Sequence, residues 1–128
     1  MKKTKKMLSA ALAFIIAISS FTLTAFAQSE TYMGNYNGNS YYCSASCTSS
    51  TCKSSMGTTS TAARSIVNTV SYVKASNNQS ATTTLTVSAT GTLLTLKGKI
   101  PTDVKRFKSL KATFKVGTHT LHTLTEIA

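Results

Sequence analysis

From Tyr41 onward the chain repeats with a period of two. Tyr41, Cys43, Ala45 and Cys47 fall on one side of an extended backbone, and Tyr42, Ser44, Ser46 and Thr48 on the other. Thr84 to Ala89 alternates in the same way, with Leu85, Val87 and Ala89 on one face. Leu110, Ala112, Phe114 and Val116 alternate with Lys111, Thr113 and Lys115. Successive strand side chains point to opposite faces, so each such segment buries one face and wets the other. Thr is β-branched and suits the wet face of a pleated sheet. About a third of residues 28–128 are Ser or Thr, a composition that would also suit an unfolded low-complexity stalk. The single proline, Pro101, and the alternation point to a folded sheet instead.

Punctuation divides the alternating stretches. Residues 28–40 hold Gly34, Asn35, Asn37, Gly38 and Asn39 and read as a flexible entry, with a short strand around Tyr32. Residues 49–61 read as a Ser/Thr/Gly loop. In residues 62–75, Ala63, Ile66, Val67, Val70 and Val73 would form a helical stripe, but four of the five are β-branched and prefer strands. The turn-like Ser76-Asn77-Asn78-Gln79 that follows favours a hairpin. Gly91 marks a turn or bulge before Leu93 to Leu96. Thr102 could cap one helical turn carrying Val104 and Phe107. Gly117-Thr118 reads as a second hairpin turn, with a closing strand over residues 121–127. The sum is six or seven short strands with local connections. The expected fold is all-β: a small antiparallel sandwich, immunoglobulin-like in outline, with a small β-barrel as the alternative.

The first 27 residues read as a cleaved secretory signal. Lys2, Lys3, Lys5 and Lys6 precede an apolar run from Met7 to Ile18, and Ala25-Phe26-Ala27 has the small-residue form of a cleavage site. The apolar run falls short of the ~20 residues of a membrane span. The expected organisation is a signal over 1–27, a flexible segment over 28–40 and a single β-domain over 41–128. The expected location is secreted, extracellular or bound to the cell surface. Of the chain's fourteen basic residues, four leave with the leader; ten then face three acids, a net charge of +7. Such an excess favours anionic partners.

Cys43, Cys47 and Cys52 are spaced C-x3-C-x4-C, and export favours disulfides. Cys43 and Cys47 lie too far apart along an extended strand to join. That leaves Cys47–Cys52 or Cys43–Cys52, with one thiol over, either inert and buried or a link to a second chain. Zinc held by these thiols with His119 or His122 is disfavoured, because paired C-x2-C spacing is missing, so no metal or cofactor is expected. On a regular strand the two histidines, three apart, would point to opposite faces. Only Asp103 among the acids lies mid-chain, and no serine sits in G-x-S-x-G or S-x-x-K. Neither a Ser–His–Asp triad with Asp103 nor a Cys–His pair has a motif behind it, so the chain is not expected to be an enzyme.

The remaining lead is the basic stretch Lys97, Lys99, Lys105, Arg106, Lys108, Lys111 and Lys115, opposed locally by Asp103 alone. With Leu110, Ala112, Phe114 and Val116 inward, Lys111 and Lys115 project outward together. The expected partner is an anionic cell-wall polymer or phospholipid surface, and no specific nucleic acid, since nucleic-acid motifs are absent. Solvation of the face is the plainer role for the same lysines. Two other functions fit size and charge: a bacteriocin-like toxin, and a structural subunit that self-assembles through Thr-rich edges.

Overall fold

A computed structural model describes residues 29–91 and 94–128. The expected signal segment, residues 1–27, lies outside the described residues. Eight strands follow one another: β1 (Ser29–Tyr36), β2 (Asn39–Cys47), β3 (Cys52–Thr58), β4 (Arg64–Val73), β5 (Ser80–Ala89), β6 (Thr95–Lys97), β7 (Arg106–Val116) and β8 (His119–Ile127). They form two antiparallel sheets of four, ordered β1-β2-β3-β6 and β5-β4-β7-β8. The sheets stack with β1 over β8 and β6 over β5. They do not close into the barrel weighed as the alternative. Read from the C-terminus, β8-β7-β4-β5 and β6-β3-β2 follow the spatial order ABED and CFG of an immunoglobulin constant-type sandwich. The chain runs through that order in reverse and adds β1 at one edge.

The period-two reading places the core. Tyr41, Cys43, Ala45 and Cys47 from β2 meet Ile66, Val70 and Tyr72 from β4 and Phe107, Leu110, Ala112, Phe114 and Val116 from β7. The β4–β5 hairpin forms as expected over residues 64–89, and Gly117 adopts φ 60° at the β7–β8 turn.

Three local expectations are corrected. Residues 29–36, read as mostly flexible, pair along their full length with β2. The turn between them is Asn37-Gly38, both residues at positive φ (51° and 78°), the conformation that lets a two-residue hairpin match strand twist. Residues 52–58, read as loop, form β3. Its inward side is Cys52, Ser54, Met56 and Thr58, an alternation disguised by two hydroxyls. No helical turn forms at Thr102. Asp103 instead reaches the β4–β5 turn, accepting hydrogen bonds from the Ser76 amide (3.0 Å) and hydroxyl (2.6 Å).

Candidate anion-binding face

The outer face of the second sheet is a grid of hydroxyls crossed by one basic strand. Register aligns Thr84, Thr69, Lys111 and Thr125 in one row across β5, β4, β7 and β8. The neighbouring rows are Thr86, Val67, Thr113, Thr123 and Ser88, Ser65, Lys115, Thr120. Hydroxyls pair across the strands: Thr69 with Thr84 at 3.2 Å, Ser71 with Thr82 at 3.1 Å, Thr113 with Thr123 at 3.4 Å. The Lys108 amine crosses Val73 to donate to Ser80 Oγ at 3.2 Å. Lys105, just before β7, donates to Asn78 Oδ1 at 2.9 Å. Arg106 opens β7 exposed, opposite Val73. Five cations thus follow one strand over about 30 Å.

No carboxylate side chain stands in those rows. The chain has three, and each is engaged elsewhere. Asp103 holds the β4–β5 turn, and the Ser76 hydroxyl bond, helped by the Lys74 charge, keeps its carboxyl below the usual range. Glu126 points into the sandwich, wholly buried, and Glu30 faces it from β1.

The other two lysines of the basic stretch go elsewhere. Lys97 ends β6 on the outer face of the first sheet. It shares a groove of about 490 Å3 with Lys53, Ser29, Ser44, Ser46 and Ser55. Lys99 follows β6, exposed, and its backbone carbonyl accepts a hydrogen bond from Asn68 Nδ2 at 2.9 Å. The buried Asn68 also accepts one from Ser54 Oγ at 3.0 Å, tying β4 to β3.

The cysteines resolve one way. Cys47 and Cys52 face each other across the β2–β3 hairpin and are joined. Cys43 is the free thiol, wholly buried, and desolvation pushes it up to about 12. A nucleophilic cysteine needs the opposite shift.

The histidines do not point apart. Leu121 is an extra residue in β8, since Phe114 pairs with His122 while Lys115 pairs with Thr120. That β-bulge resets the alternation, so His119 and His122 both turn toward β1. His122 stacks on Tyr32 (centroids 3.8 Å apart) and His119 on Tyr36 (4.1 Å). The stacked pairs close the seam between β1 and β8, with the Glu30–Glu126 pair along it. Nothing in the local sequence announced this seam, because it depends on a bulge and on pairing between distant strands. Burial first, then the facing Glu30 carboxylate, raise the Glu126 carboxyl to about 9. It stays protonated, enclosed and out of a substrate's reach.

These placements keep Asp103 apart from the histidines of the weighed Ser–His–Asp set. Asp103 lies by the Val73 end of the second sheet, whereas His122 is paired with Phe114, about 25 Å along the strands. Tyr32, the register partner of Cys43, is the ring that stacks on His122. Among the described residues no cluster of three His, Cys, Asp or Glu forms that could hold a metal ion. Comparison with protein-family models, curated proteins and solved structures finds no match to this chain.

Proposed function

We propose that this chain is an exported, non-enzymatic binding protein whose second sheet lies against an anionic polymer of the cell envelope. One observation carries the reading: Lys105, Arg106, Lys108, Lys111 and Lys115 follow β7 on or beside a hydroxyl-covered face whose rows hold no carboxylate side chain. A flat row of separated cations matches charges repeated along a chain, and the hydroxyls between them suit a hydrated, polyol-like backbone. A bilayer is the poorer fit. Binding there gains from apolar side chains inserted among the lipids. Among the described residues, the large exposed apolar side chains are Met33, Tyr42 and Leu94, which border one groove on the first sheet, and Ile127, the only one on the basic face.

The test is co-sedimentation with purified anionic cell-wall polymer. Binding should weaken steeply with added salt, since exposed charges more than a Debye length apart are screened. It should vanish when Lys105, Arg106, Lys108 and Lys111 are neutralised together. Retention unchanged in ~0.5 M salt, where screening acts within about 4–5 Å, would remove the basic strand from the mechanism.

A further inference from the structure

Each sheet ends in two edge strands: β1 and β6 in the first, β5 and β8 in the second. An edge offers unpaired N–H and C=O groups to any passing strand, and natural sheets disarm it. Three of these four edges are disarmed. β6 is three residues long. β8 is bulged at Leu121, which breaks its ladder. β1 pairs Glu30 with the inward Ala45, on the same side. β5 carries none of these devices. Its ten residues, SATTTLTVSA, hold no charge and no proline, and they pair with β4 in unbroken register. The cations beside it stand at its two ends: Lys108 donates to Ser80 Oγ, and Arg64, the buried partner of Ala89 on β4, donates to the Gly91 carbonyl just past the strand.

We propose that β5 is an association edge and that its partner is β5 of a second copy, paired antiparallel about a two-fold axis perpendicular to the sheet. The strand is complementary to itself under that operation. Such an axis keeps the outer face outer, so hydroxyls must meet hydroxyls. Centred on Thr84, the pairing sets Thr82 against the partner's Thr86 and Ala81 against the partner's Val87. Centred on Leu85, it sets Thr84 against the partner's Thr86 and Thr83 against the partner's Val87. Neither register opposes like charges or buries a charged side chain. A strand of another protein would need this same alternation by coincidence; a second copy has it by construction. The joined sheet has eight strands, and the two β7 rows lie on one side of it, about 24 Å apart. The pairing stands whether or not that side binds a polymer.

Sedimentation velocity of the purified protein, from low micromolar to millimolar, reads the association. A monomer–dimer equilibrium is expected. The double variant Thr84→Lys, Thr86→Lys places like charges opposite each other in either register, on positions exposed to water. Its dissociation constant should rise roughly tenfold or more. Thr123→Lys with Thr125→Lys, the same charges on the β8 side of the same face, should leave it unchanged. Amide exchange in residues 80–89 of the wild type should slow on concentration, a readout that needs no variant. A monomer at every concentration sinks the proposal. So does a dimer that the Thr84→Lys, Thr86→Lys pair leaves intact, because only association through another surface would survive that change.

Discussion

Gly98 stands where no side chain fits. A Cβ there would collide with Ser54 Oγ and the Asn68 amide, the two groups whose hydrogen bond ties β3 to β4. Gly98→Ala should lower stability by about 2–3 kcal/mol, through overpacking and the strained buried hydrogen bond, as read by urea unfolding. Adding Ser54→Ala should return part of the loss, since the two positions share the clash. Glu126 governs the pH dependence. Its folded carboxyl titrates near 9 against an ordinary 4.5, because it is buried and faces Glu30. Between those values the folded chain binds more protons than the unfolded one, so stability falls as pH rises through that window. Asp103 works in the opposite sense. The Ser76 bond lowers its carboxyl below 3.8, so its stabilisation is present above that value and lost in stronger acid. The urea midpoint should therefore peak near pH 4–5 and decline toward pH 9. Glu126→Gln should flatten the alkaline decline; a midpoint that still falls as steeply would show that another group drives it.

The β2–β3 hairpin is closed twice, by its ladder and by the Cys47–Cys52 bond across its end. A six-residue loop gives a cross-link worth about 2 kcal/mol in chain entropy, so reduction should lower unfolding stability by that order. Cys43 should stay unreactive to thiol reagents until the chain unfolds, because its thiol is buried and held protonated. The seam strands make a separate test. A double-mutant cycle on Tyr32 and His122 should show a coupling of about 0.5–1.5 kcal/mol from the stacked rings. The same elements show what could be read in advance. β2, β7 and the β4–β5 hairpin were legible because Leu, Val, Ile, Phe or Cys recur at every second residue. β3 was not, because Ser54 and Thr58 occupy inward positions, where their hydroxyls donate to Asn68 and the Ser40 carbonyl, partners far off in sequence. β1 was legible only as a short strand around Tyr32, because Tyr32 and Tyr36 find their stacking partners on β8, far off in sequence. The basic stretch was legible as a cluster, with Lys111 and Lys115 outward together, but the course of its other cations was not. One bulge and one sheet change send five of its cations along β7 and the other two to the β6 side.

At the scale of the whole molecule, charge and placement can be separated. Lysines lie on both outer faces: Lys111 and Lys115 on the second sheet, Lys53 and Lys97 on the first. If the overall positive charge alone drew the protein to an anionic polymer, reversing either pair would weaken binding equally, for both changes alter net charge by the same amount. If the β7 face makes the contact, the two variants must differ. Lys111→Glu with Lys115→Glu places carboxylates in the middle of the hydroxyl rows, where Thr69, Ser65, Thr125 and Thr120 flank them. It should abolish co-sedimentation at moderate salt. Lys53→Glu with Lys97→Glu alters a groove on the far side of a two-layer sandwich, about 10 Å of core plus both side-chain layers away, and most of its effect should be screened at ~0.15 M salt. Binding should then weaken only slightly. The comparison should be repeated at ~0.01 M salt, where the Debye length of about 30 Å spans the whole domain and the two variants should converge. Convergence at low salt with divergence at moderate salt is the signature of a single contacting face. Equal losses at both salt concentrations would assign the attraction to net charge and leave the β7 lysines with no role beyond solubility.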